Sequence, residues 1–175
     1  MRSPILAVAS AIAMLSCGPT QNDPVRYGVV KVWIAPGWIS YDTGRIRDAM
    51  RTLQRLGPVF IETTIESEAD VTVHRFKSSD CTLDGAGGWI VGSTRVEVDP
   101  VCAAGDDAFR SVVSHEIGHA VGMQHVCRFA GESSFCSPVG YGDAVMNPTI
   151  RSDDAVPDDV PTELDLAEFR RVYRR

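Results

Sequence analysis

His115-Glu116-Ile117-Gly118-His119-Ala120-Val121-Gly122-Met123-Gln124-His125 holds three of the four histidines in a chain of 175 residues. Residues four apart share one face of a helix, so His115 and His119 present two imidazoles to one point in space. Glu116 sits one step round from His115, within reach of that point without being a ligand. Gly122 can take a positive φ, end the helix and turn the chain, which brings His125 back as a third ligand. Three neutral imidazoles with an open fourth position suit a catalytic zinc ion better than a structural one. Glu132 is the nearest acid that could replace His125, but it lies in the Gly/Ser-rich run Ala130-Gly131-Glu132-Ser133-Ser134, so His125 is the better ligand. His74 alternates within a strand and reads as an ordinary half-buried residue.

Outward from this window, the apolar periodicity gives a small α+β unit. Upstream, Val29 to Ile34 reads as a strand stopped by Ala35-Pro36-Gly37. Asp42 is placed to cap a helix with Ile46, Ala49, Met50, Leu53 and Leu56 on one face, ended by Gly57-Pro58. Val59 to Ile65 and Val71 to Phe76 alternate as half-buried strands, and shorter strands follow at Trp89 to Val91 and around Val96 and Val98. The site helix opens near Gly105-Asp106-Asp107, with Asp106 or Asp107 as its cap and Phe109, Val112, Val113, Ile117 and Ala120 as its apolar positions. Pro161-Thr162-Glu163 starts a closing helix with Leu164, Leu166, Phe169 and Tyr173 as its inward stripe. The expected architecture is one mixed, twisted sheet with an early helix, an active-site helix and a C-terminal helix.

The composition excludes several classes. Hydrophobic residues make up 44% of the chain, enough for one self-supporting core at this length. A net charge of −6 with no basic stripe argues against nucleic acid as a partner. The first residues read as an address. Arg2 supplies a positive charge, and Pro4 to Leu15 forms an apolar stretch too short to span a bilayer, as in a secretory signal. Residues 1–16 are therefore expected to be a signal peptide, 17–25 a polar tether and 26–175 one domain. Cys81, Cys102, Cys127 and Cys136 suit an exported chain as disulfides. Four cysteines allow three pairings. Cys81–Cys102 and Cys127–Cys136 are favoured because each pair flanks a Gly/Ser-rich loop that would benefit from closure.

His-Glu-x-x-His-x-x-Gly-x-x-His resembles the signature of the metzincin zinc peptidases. Ala144-Val145-Met146-Asn147-Pro148 resembles the methionine turn that these enzymes carry beneath the metal. The layout is similar to the matrixin-like branch, including a Gly-Gly-aromatic stretch before the site helix and a closing helix with Asp165 and Tyr173. Two departures stand out: Val126 follows the third histidine where matrixins usually have serine, and Pro148 stands where other branches place an extra tyrosine ligand. Met14-Leu15-Ser16-Cys17-Gly18 resembles the lipobox of bacterial lipoproteins, in which Cys17 is lipidated and holds the domain to a membrane surface.

The metzincin resemblance implies an endopeptidase of extracytoplasmic proteins, with Glu116 exchanging protons with water activated at zinc. Gly88, Trp89, Ile90 and Val91 are the candidate edge strand for an extended peptide substrate. Asn147, Pro148, Thr149 and Ile150 would line the pocket after the cut. Asp153, Asp154, Asp158 and Asp159, or Asp106 and Asp107, invite a calcium reading, although proline spacing favours a solvated loop for the former. The expected partners are a protein or peptide substrate and, through Cys17 alone, a membrane, with the chain a monomer in the cell envelope. The alternatives are a surface-anchored binding protein with a non-catalytic zinc site and a zinc hydrolase of a non-peptide bond. Glu116 argues against the first, since a structural site has no use for an acid beside its first ligand.

Overall fold

A computed structural model describes residues 28–77, 88–91, 94–103, 105–126, 144–146 and 161–173. Five strands, β1 (Val29–Ile34), β2 (Val59–Thr63), β3 (Val71–Arg75), β4 (Gly88–Val91) and β5 (Arg95–Val98), form one sheet in the order β2-β1-β3-β5-β4. The first four in that order run parallel, and β4 closes the row antiparallel to β5. Helix α1 (Ser40–Gln54) connects β1 to β2, α2 (Asp106–Ala120) follows β5, and α3 (Glu163–Tyr173) closes the fold. The expected α+β architecture is the observed one.

Alternation along the strands decides which face is covered. Val30, Val32, Val71, Val73, Val96 and Val98 are fully buried, in one core with Ile46 and Leu53 of α1 and Phe109, Val113 and Ile117 of α2. The intervening Lys31, Trp33, Thr72, His74 and Glu97 are only half-buried. Parallel sheets are usually apolar on both faces. Here one face stays partly exposed and mixed in polarity among the described residues, so the period of two remains legible in the sequence. α2 packs against α1 on one side and β4 and β5 on the other, which sets the site helix beside the sheet edge formed by β4.

Several expected boundaries move. Asp42 does not cap α1, which begins two residues earlier at Ser40; Asp42 instead sits in the first turn, buried and paired with Arg45. Negative charge is favourable there because it faces the exposed N–H groups of the helix start. The guanidinium of Arg45 lies 4.0 Å from the ring centre of Phe109 and also reaches the Gly105 carbonyl at 3.2 Å, so it ties α1 to the start of α2. Neither Asp106 nor Asp107 caps α2: the cap position is Gly105, with φ of 98°. Asp106 accepts from the Tyr41 hydroxyl and Asp107 pairs with Arg110, so both carboxylates of that calcium reading already have protein partners. β2 stops at Thr63, ahead of a 3-10 turn at Glu66–Glu68, and β3 stops at Arg75.

On α3, the stripe Leu164, Leu166, Phe169 and Tyr173 packs against the core only half-buried. The innermost residues are two acids, Asp165 at 0% and Glu168 at 1% exposure. No helix among the described residues is long and apolar enough to cross a membrane.

Candidate metal centre

The site is built on the last turn of α2. Ser114 to Gly118 are buried. The helix ends because Gly122 adopts φ of 93°, a conformation that costs a residue with a Cβ. Its N–H donates to His119 O at 2.8 Å, and the Met123 N–H donates to Gly118 O at 2.9 Å, reversing the chain as a glycine-terminated helix does. That reversal carries His125 back over the helix. Val126 then points into the core, and its N–H donates to Met146 O at 3.1 Å. The residue after the third histidine is therefore a packing residue, which accounts for valine at that position.

The three imidazoles meet through their Nε2 atoms. His115 and His119 stand 3.0 Å apart, His119 and His125 3.1 Å, and His115 and His125 3.3 Å. The far side of two rings is fixed by the backbone: His115 Nδ1–H donates to Val145 O at 2.8 Å, and His119 Nδ1–H donates to Met123 O at 2.9 Å. A carbonyl can only accept, so the proton of each neutral ring lies on Nδ1 and Nε2 carries a bare lone pair.

The rings are also held neutral. Burial, and then the neighbouring His119, push His115 down to about 3, and the same causes push His125 down to about 4. Burial lowers His119 as well, with its bond to Met123 O and the charge of Glu168 pulling the other way. Lone pairs aimed at one another repel unless a cation sits between them. Tetrahedral zinc at about 2.0–2.1 Å from each nitrogen sets its ligands about 3.3–3.4 Å apart, close to the observed spacing. Among the described residues this is the one cluster of His, Cys or acid groups arranged to hold a metal ion.

Glu116 follows His115 on the helix and is buried, and its carboxylate accepts no hydrogen bond among the described residues. Burial alone raises its pKa to about 7. A carboxyl poised near neutrality can take and return a proton. Met146 lies beneath the helix, fully buried, with its N–H donating to Asp165 Oδ1 at 2.9 Å.

The sequence-predicted residues thus fall into three groups. His115, His119, His125, Glu116 and Met146 come together. Gly88, Trp89, Ile90 and Val91 form the edge strand expected of them, next to α2. Cys17, Cys81, Cys127, Cys136, Asn147, Pro148, Thr149, Ile150 and the Asp153–Asp159 cluster lie outside the described residues. Cys102 is disulfide-bonded, and its partner also lies outside them. His74 is half-buried and stacks edge-on against Trp33, as an ordinary strand residue does.

Sequence reasoning missed Glu168 altogether. It accepts the Gln124 N–H at 2.8 Å and is held by Arg171 through two bonds of 2.7 Å. The available signal was its spacing: Asp165, Glu168 and Arg171 recur every three residues along one side of α3.

No known protein-family profile matches the sequence, and no curated protein matches it either. Solved structures do. Two structures of myroilysin superpose with TM-scores of 0.52 and 0.53, each at 16% identity. They cover 84% and 85% of this chain and 93% and 84% of their own. A hatching enzyme described as a zinc protease, from the medaka fish Oryzias latipes, aligns over 97% of this chain and 98% of its own at 15% identity, with a TM-score of 0.48. The chain thus shares the fold of the myroilysin structures and carries a three-histidine cluster that can hold a metal ion.

Proposed function

We propose that this chain is a zinc-dependent endopeptidase of extracytoplasmic proteins. The observation that carries the reading is the convergence of three neutral Nε2 atoms on a helix that also carries the buried Glu116. His115, His119 and His125 would hold the metal. Zinc in such a site supplies Lewis-acid polarisation of a carbonyl and activates water near neutral pH.

The chain's own residues do the rest. Glu116 takes the proton released as water adds to the peptide carbonyl, then delivers it to the departing amine. The outer edge of β4 offers backbone N–H and C=O groups to an extended substrate, which adds to the sheet as one more strand. Val145 and Met123 hold His115 and His119 from behind, so the two rings need not reorient during the reaction. Within the metzincin-like fold, Asp165 and Tyr173 on the closing helix favour the matrixin-like branch, and the signal-like N-terminus with Cys17 favours export and a lipid anchor.

The test is to incubate the zinc-loaded full chain with a denatured-protein peptide library and read new termini by mass spectrometry. Internal cuts made by the wild type, and lost with chelator and with Glu116→Gln, are expected. A folded, zinc-containing protein that cuts nothing in the library would contradict the proposal.

A further inference from the structure

Asp165 and Glu168 are buried carboxylates one helical turn apart on α3, so they share a face. Each grips the N–H of a peptide bond whose carbonyl, on the other side of the same bond, holds a histidine. Met146 N–H donates to Asp165 Oδ1 at 2.9 Å, while Val145 C=O accepts His115 Nδ1–H at 2.8 Å. Gln124 N–H donates to Glu168 Oε1 at 2.8 Å, while Met123 C=O accepts His119 Nδ1–H at 2.9 Å.

We propose that Glu168 is a positioning residue for the metal centre: through the Met123–Gln124 peptide it fixes the His119 ring and makes its Nε2 a stronger donor to the metal. This rests on the reading that the three histidines hold zinc. An anion accepting the N–H of an amide draws that bond's polarisation toward the carbonyl oxygen, which then accepts the imidazole N–H more strongly. A ring whose Nδ1–H is held more strongly is the more basic ligand at Nε2.

Burying a carboxylate is costly unless its lone pairs are filled, and Glu168 fills them from two sides. Arg171, itself 40% exposed, supplies the charge partner, while the Gln124 N–H supplies the link to the metal loop. Arg171 lies on the same helix, so the Gln124 N–H is the bond by which Glu168 reaches out of α3 to the metal loop. Asp165 forms the same relay toward His115, but it also holds Thr162 and Val145, so its removal would not separate positioning from folding.

The experiment measures zinc affinity of the full chain, by competition with a chromophoric chelator, for wild type, Glu168→Gln and Arg171→Met. Glu168→Gln should bind zinc about 10- to 100-fold more weakly with an unchanged circular dichroism spectrum, and its cobalt-loaded form should show shifted visible bands. Arg171→Met leaves the carboxylate on the Gln124 N–H without its counterion, and should bind zinc at least as tightly as wild type. Wild-type affinity in Glu168→Gln would overturn the relay. So would an Arg171→Met variant weakened as much as Glu168→Gln, which would assign the effect to the ion pair. If Glu168→Gln does not fold, Glu168→Asp, which keeps the charge but falls one methylene short of the Gln124 N–H, takes its place with the same two outcomes. A wild type that binds no zinc would overturn the histidine-site reading itself, a failure distinct from that of the relay.

Discussion

The thioether of Met146 occupies the space that a side chain on Gly118 would need: a Cβ there would stand 2.5 Å from Met146 Sδ and 3.5 Å from its Cε. Gly118 lies between Glu116 and His119 on the site helix, so the missing side chain lets the methionine turn come up directly beneath the ligands. The fit is one of shape, between a glycine that weakens a helix and a fully buried methionine.

Gly118→Ala tests that fit. Alanine should favour the helix by about 1 kcal/mol over glycine. Overpacking against a fully buried Met146 should cost about 1–3 kcal/mol and outweigh that gain. Urea unfolding should therefore show net destabilisation, and adding Met146→Ala should produce less than the sum of the two single losses. A more stable Gly118→Ala protein would show that the thioether can move aside.

Asp165 joins two parts of the site. Its carboxylate accepts from Thr162 N at 2.8 Å and Thr162 Oγ1 at 2.9 Å, as a capping box does at a helix start, and from Val145 N at 3.0 Å and Met146 N at 2.9 Å. Asp165→Asn replaces one accepting oxygen with a donor and leaves buried N–H groups unpaired. A loss of about 3 kcal/mol in chemical denaturation is expected, with weaker zinc binding. Unchanged stability would mean that solvent satisfies those groups.

The pH dependence of the metal-free protein follows from opposed shifts. Unfolded histidines take up protons near 6.5, whereas His115 and His125 in the fold do so only near 3 and 4, and His119 is also lowered. Below 6.5 the unfolded chain binds more protons at these sites, so stability falls with pH. Glu116 acts the other way, because the folded chain holds from about 7 downward a proton that the unfolded chain gains only near 4.5. Three histidines outnumber one carboxylate. Stability should therefore drop between pH 6.5 and 5, by about 1 kcal/mol per pH unit for each excess proton. Urea midpoints of chelator-treated protein measure this, and a midpoint that rises on acidification would contradict it.

Glu116→Gln separates binding from chemistry. Glutamine keeps the shape of the side chain but cannot accept the proton. Zinc stoichiometry should stay at one, while kcat/KM falls by about 10²- to 10⁴-fold. A variant that loses zinc along with activity would make Glu116 part of the metal's support.

Much of this was legible in the sequence because the relevant periods are local. His115 and His119 are four apart, Gly122 carries its own reason for a turn, and the buried strand valines alternate with residues on a face that stays partly exposed. Boundaries were less legible where tertiary contacts override propensity. Asp42 resembles a cap, but Arg45, pinned on Phe109 from another helix, draws it into the first turn. Glu168 was invisible for a related reason. An acid on a helix reads as solvent-facing, and only the fold brings the Gln124 N–H, 44 residues away, to its carboxylate.

X-ray absorption at the zinc edge of the purified full chain tests the central claim most directly. The expected spectrum has three imidazole nitrogens at about 2.0–2.1 Å and one further light oxygen ligand, the pattern of a centre with one position left for chemistry. A sulfur shell near 2.3 Å, or a fourth imidazole in place of the oxygen, would show a closed structural site and contradict the enzyme reading.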